Sequence, residues 1–161
     1  RVFDAPNKAA DTLAFVKEYQ FQQRGAFKLH NSAILVKDAA GKFTVTETGN
    51  FSAKKGTVMG AIAGGLLGVL AGPVGVVIGA AAGAGIGRAT TRWQDLDLPD
   101  EFVKQLQELL QPNTSALIIL VEHQYLKMLS DTMADVDGIV LQYTLTDAVV
   151  ERLLKEQKGD V

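Results

Sequence analysis

Gly56, Gly60, Gly64, Gly68 and Gly72 recur at every fourth position, and after a Gly72-Pro73 break the spacing resumes at Gly75, Gly79, Gly83 and Gly87. Between Lys55 and Arg88 there is no charge; the segment holds only Gly, Ala, Val, Ile, Leu, Thr57, Met59 and Pro73. A glycine inside a helix costs about 1 kcal/mol relative to alanine. Eleven of them between Gly56 and Gly87 dissolve an isolated helix in water unless an apolar medium or close helix packing compensates. The spacing predicts two helices, each with a side-chain-free groove, reversed at Gly72-Pro73-Val74-Gly75. The glycines let a neighbouring helix come close, so the business of this segment is packing.

Each arm has about fifteen to seventeen residues, or about 22–26 Å of helix, short of the twenty or so residues of a full membrane span. A short hairpin that thins a bilayer, or a re-entrant pair, fits this length. Lys54 and Lys55 precede the first arm, and Arg88 and Arg92 follow the second. Basic residues on both flanks predict that both ends, and the globular part, stay on the cytoplasmic side of a membrane. Trp93 beside Arg92 suits the headgroup level or an ordinary packing position. The rival reading buries the hairpin against copies of itself in a soluble ring, cage or filament.

At 161 residues the chain has room for one domain and an appendage. The boundaries read as 1–53 for the first part of the domain, 54–92 for the hairpin and 93–161 for the second part. A net charge of -2 and a pI near 5.7 argue against nucleic-acid binding, which wants a basic face. There is no cysteine, which excludes disulfides and thiol chemistry. The first residue is Arg1, read as a trimmed or processed start.

Asp4-Ala5-Pro6-Asn7 reads as a helix start with Asp4 as cap, and Ala9, Ala10, Leu13, Phe15 and Val16 as the apolar side of the helix. Extended segments follow from Phe27 to Val36 and from Phe43 to near Gly49, joined by an Asp38–Gly41 loop with Gly41 at positive φ. Leu96-Asp97-Leu98-Pro99-Asp100 repeats the D-x-P helix start. Its helix carries Phe102, Val103, Leu106, Leu109 and Leu110 and ends at Pro112. Ala116 to Val121 is a continuous apolar run, predicted as a strand buried on both faces. A helix from Gln124 to Met133, an Asp135–Gly138 turn, a strand through Ile139, Leu141, Tyr143 and Leu145, and a Thr146-capped helix complete the chain. The simplest packing is α+β: a ferredoxin-like or split βαβ domain, helices on one face of a mostly antiparallel sheet, with the glycine-zipper α-helical hairpin inserted.

Chemistry is sparse. Gly83-Ala84-Gly85-Ile86-Gly87 departs from a dinucleotide loop at Arg88, and no strand precedes it. His30 and His123 each lack a second ligand at helical spacing. Asp95, Asp97, Asp100 and Glu101 are explained by helix capping and the helix dipole as well as by a cation. The sequons at Asn50 and Asn113 are short enough to arise by chance. No catalytic residue, cofactor site or metal site is expected.

The D-x-P start, the strand pair with its Asp/Gly turn, the glycine hairpin, the acidic stretch Asp95–Glu101, the strand Ser115–Val121 and the Leu145-Thr146-Asp147 helix start occur in one order. In that order they resemble the bacterial Domain of Unknown Function 1269 family of predicted membrane proteins. The resemblance implies membrane association and homo-oligomerisation, and transfers no active site. The expectation is a non-enzymatic, self-assembling protein at the bilayer, its partners being lipid and itself. The alternatives are a soluble homo-oligomeric scaffold and a small-molecule-binding regulatory module.

Overall fold

The computed structural model of the chain describes residues 1–22, 31–48, 62–63, 65–67, 70, 77–79 and 96–158. Strands β1 (Val2–Phe3), β2 (Asn31–Lys37), β3 (Phe43–Thr48), β4 (Val77–Gly79) and β5 (Thr114–Leu120) form one sheet of order β1-β5-β2-β3-β4. Helix α1 (Lys8–Gln22) joins β1 to β2, α2 (Asp100–Leu109) leads into β5, and α3 (His123–Thr132) and α4 (Asp147–Lys158) follow. Strand β5 is antiparallel to both β1 and β2, so β1 and β2 run parallel on either side of it, joined by α1. That is a split βαβ unit. Strand β2 separates β3 from β5 in the same way. The order is not that of a ferredoxin-like sheet, whose first and third strands lie at the centre; here β5 and β2 are central, and the β2–β3 hairpin folds outward.

Strand β4 departs from the glycine spacing, which predicts helix at these positions. Val77 lies opposite Phe43, Ile78 opposite Thr44 and Gly79 opposite Val45, in parallel. Val77 and Ile78 are stiff at χ1 and prefer an extended backbone, and the edge of β3 away from β2 takes them up.

Helices cover both faces of the sheet, not one. Ala33 and Leu35 of β2 and Ala116, Ile118 and Leu120 of β5 share a core with Phe43 and Val45 of β3, Leu106 of α2, Leu110 at its C-cap and Val149 of α4. Ile34 and Val36, with Leu117, Ile119 and Val121, face the other way onto Ala9, Leu13 and Val16 of α1 and Leu129 of α3. Both parities of the two central strands are apolar, and each must be covered. Phe15, expected on the apolar side of α1, is about half exposed instead.

Local chemistry sets the connections. Asp38 Oδ1 accepts from the N–H groups of Ala40 and Lys42, and Gly41 has φ +80°, which closes the hairpin as the sequence predicts. The start of α1 differs from expectation. Asp4 receives Lys8 Nζ at 3.0 Å, and that hydrogen bond holds its carboxyl below the usual range. The α1 cap comes from far along the chain: Ser115 Oγ, fully buried, accepts from Ala9 N–H at 3.2 Å and donates to the Ala5 carbonyl at 2.6 Å. Ser115→Ala strips both groups of that partner in a dry site, so a loss of about 1–3 kcal/mol is expected. Urea unfolding measures it, and an unchanged midpoint would mean that water replaces the hydroxyl.

Helix α2 begins after Pro99 with no side-chain cap, while Asp100 and Glu101 sit in its first turn where the helix dipole favours them. Thr146 caps α4 as expected, its Oγ1 accepting from Val149 N–H at 3.4 Å. The strand predicted through Ile139 to Leu145 is reduced to one bridge, Val2 with Ile139. A strand needs a neighbour as long as itself, and β1 spans only two residues.

Candidate functional site

The first glycine-rich arm meets the sheet at the face that carries Leu35. Ile62, Ala63, Leu66 and Leu67 have helical backbone and are buried in the same core as Ala33, Leu35, Phe43, Val45 and Ala116. Leu70 packs against that core from its edge. Ala33 and Ala116, at 0% and 3% exposure, leave room for larger neighbours over the middle of the sheet. At the hairpin end of this face Lys37 lies over the Phe43 ring at 5.2 Å, and its Nζ donates to the Leu110 carbonyl at 2.9 Å, closing the C-terminus of α2. At the other side Tyr143 stacks at a tilt on Phe102, 5.9 Å between centroids, and donates its hydroxyl to the Asp97 carbonyl. Asp97, at φ 50°, pairs through its carboxylate with Arg152 of α4 at 3.6 Å.

Of the sequence-predicted packing residues, Gly79 lies in β4, paired with Val45, rather than along a helix groove. Gly56, Gly60, Gly64, Gly68, Gly72, Gly75, Gly83 and Gly87 lie outside the described residues, as do Lys54, Lys55, Arg88, Arg92 and Trp93. Among the described helical residues of this arm, Ile62, Ala63, Leu66 and Leu67 are buried in the sheet core, and Gly65 is buried with them. Among the described residues no helix is long and apolar enough to cross a membrane.

The remaining candidates do not converge. His123 opens α3 and is exposed, and His30 and Asp95 lie outside the described residues. Asp97 is taken by Arg152, while Asp100 and Glu101 are exposed in the first turn of α2. Among the described residues no three His, Asp or Glu side chains stand close enough to hold a metal ion. Asn113, at φ 64°, forms the turn into β5, with its N–H directed at the Asp38 carbonyl. Sequence reasoning missed Ser115 as a cap, because its partners Ala5 and Ala9 lie more than a hundred residues away.

Residues 57–157, well over half of the chain, match a family model described as Protein of unknown function (DUF1269). The chain belongs to the DUF1269 family. The DUF1269 match takes in the glycine-rich segment, β4, α2, β5, α3 and α4, and leaves β1, α1, β2 and β3 on its amino side. No curated protein and no solved structure matches this DUF1269 chain.

Proposed function

We propose that this DUF1269 chain is a non-enzymatic, membrane-associated protein that assembles with copies of itself by packing its glycine-rich segment, backbone against backbone. The observation that carries the reading is the burial of Ile62, Ala63, Leu66 and Leu67 in the sheet core. At 3.6 residues per turn, positions 62, 63, 66, 67 and 70 share one side of a helix, and the glycine stripe winds away from it, positions 64, 68 and 72 falling about 130–210° round from its centre. A helix seated on the sheet by its large side chains therefore turns its glycine seam outward, where another apolar helix can approach closely. The basic flanks Lys54, Lys55, Arg88 and Arg92 support contact with an anionic headgroup layer and a globular domain on the cytoplasmic side.

The same burial shapes how the membrane is met. Ile62, Leu66 and Leu67, with Leu70 at the edge, are committed to the sheet, and Val77–Gly79 are paired with β3. Contact at the bilayer surface suits this arrangement better than insertion of both arms. It also favours, as a second reading, a soluble homo-oligomeric scaffold that uses the same seam without lipid.

Vesicle flotation with the full chain, on neutral and on anionic phospholipid, separates the two. Co-flotation with anionic vesicles is expected, as is a high-mass assembly on sedimentation. The double variant Gly64→Leu/Gly68→Leu fills the seam and is expected to weaken assembly about tenfold or more, equivalent to about 1.4 kcal/mol or more. High mass in the absence of vesicle binding assigns the scaffold reading. An unbound monomer, or an assembly indifferent to the double variant, sinks both.

A further inference from the structure

Beyond the bridge at Ile139 the chain runs from Val140 to Leu145 without a turn or bend before α4 begins. Ile139-Val140-Leu141-Gln142-Tyr143-Thr144-Leu145 carries no charge, proline or glycine and is rich in strand-forming side chains. Exposure alternates: Val140, Gln142 and Thr144 are exposed, while Leu141, Tyr143 and Leu145 are half-buried. Leu141 and Leu145 pack on the core of the Leu35 face, and Tyr143 is fixed by Phe102 and the Asp97 carbonyl. The segment is thus held by its side chains. Its backbone pairs with β1 only through the exchange between Val2 and Ile139, each N–H to the other's carbonyl at 2.9 Å.

That exchange fixes the direction of the rest. Ile139 turns its N–H and C=O toward β1, so in an extended run Leu141, Tyr143 and Leu145 do the same, and Val140, Gln142 and Thr144 offer theirs to the open side. Sheet edges are ordinarily blunted by charge, proline or a bulge. This one carries no charge and no proline, and so is a template for another strand.

The order of the residues selects that strand. Laid antiparallel on a second copy about Gln142, Val140 faces Thr144, Leu141 faces Tyr143, Ile139 faces Leu145, and Gln142 faces its own counterpart. β-branched Val140 and Thr144 meet on the exposed side, half-buried Leu141 meets Tyr143 on the other, exposed Ile139 meets Leu145 at the ends, and amide meets amide on the axis. Asp137 and Asp147 would come opposite one another just past the paired stretch, at the Gly138 turn and the start of α4. We infer that two copies of this chain join their sheets through residues 139–145, as an isologous antiparallel pair centred on Gln142. The contact is independent of the glycine seam, and it tightens with salt as the flanking carboxylates are screened.

The native chain has no cysteine, so a single introduced thiol reports the axis cleanly. Directly opposite residues in a hydrogen-bonded antiparallel pair lie about 5.5 Å apart at Cα, within disulfide reach. Gln142→Cys in the full chain is expected to oxidise to a reducible covalent dimer, while Gln111→Cys, exposed just beyond α2, forms no covalent cross-link. Sedimentation supplies the second arm. Val140→Lys/Thr144→Lys sets like charges across the pair and is expected to weaken dimerisation at least about tenfold. Val140→Lys/Thr144→Glu sets Lys opposite Glu and restores it; circular dichroism establishes that each variant is folded. The inference is overturned if the native chain is monomeric above about 100 µM, if both cysteine variants cross-link alike, or if the double-lysine variant dimerises as before. Loss of the Gln142→Cys cross-link in a Gly64→Leu/Gly68→Leu background would assign the contact to the seam and overturn it as well.

Discussion

Leu35→Ala is expected to lower the stability of the chain by about 3–4 kcal/mol, near the middle of the range for a buried leucine that leaves a cavity. Leu35 is 1% exposed and lies between Val45 of β3 and Ala116 of β5 in the ladder. Its neighbours cannot refill the space: Ala116 and Ala33 have no reach, and Val45 is branched at Cβ and fixed in its own strand. The missing side chain would leave a hole under the helical residues Ile62, Ala63, Leu66 and Leu67, which share its core. Thermal unfolding should fall by about 6–15 °C for a chain of this size.

The same site tests the docking of the first glycine-rich arm. If Leu66 packs over Leu35, then Leu35→Ala and Leu66→Ala are non-additive by about 0.5 kcal/mol or more in a double-mutant cycle. An arm that leaves the sheet to enter a bilayer would give additive effects, with Leu66→Ala nearly silent in the absence of lipid. A Leu35→Ala change below about 1 kcal/mol would remove the packed face itself.

Where a structural element depends on its own residues, the sequence displays it. The Asp38–Gly41 hairpin needs a carboxylate two residues before a backbone N–H and a glycine at positive φ, and both are local. Strand β5 is legible for a similar reason, since an unbroken run from Ala116 to Val121 has no polar face to give to water. The same logic applied to Ala33-Ile34-Leu35-Val36 implies helices on both faces of the sheet, but the topology expected from element order concealed it. Elements that depend on distant partners were out of reach. Ser115 caps a helix whose first turn lies 106 residues away, and nothing near Ser115 announces it. Val77–Gly79 contain a strand signal in Val77 and Ile78, yet the regular glycine spacing spoke for helix. What decides between them is the vacancy beside β3, a fact of assembly rather than of local sequence. Ile139–Leu145 shows the converse, since its alternation is that of a strand and its pairing waits on a neighbour.

Gly138→Ala is expected to cost about 3 kcal/mol, while the same change at Gly41 costs about 1 kcal/mol, although both glycines lie at positive φ. Gly41, at φ +80°, would bring a new Cβ no closer than 4.0 Å to Lys37 Cε, the end of a flexible side chain. Only the backbone strain remains there. Gly138, at φ +106°, would place its Cβ 2.7 Å from the Val2 carbonyl oxygen and 2.9 Å from Phe3 Cδ1. That carbonyl is the acceptor for Ile139 N–H, and Phe3 is 2% exposed in the core beneath α1. Neither can yield without parting β1 from Ile139 or disturbing the packing of α1. The difference between the two variants in urea therefore reports chiefly the steric part, with a smaller share from the less favourable φ at Gly138. Amide exchange locates it: Val2 and Ile139 should lose protection in Gly138→Ala and keep it in Gly41→Ala. Equal costs at the two glycines would mean that β1 and the Ile139 segment are loosely joined. The strand edge proposed for the second copy would then lose the one bridge that aligns it with the sheet.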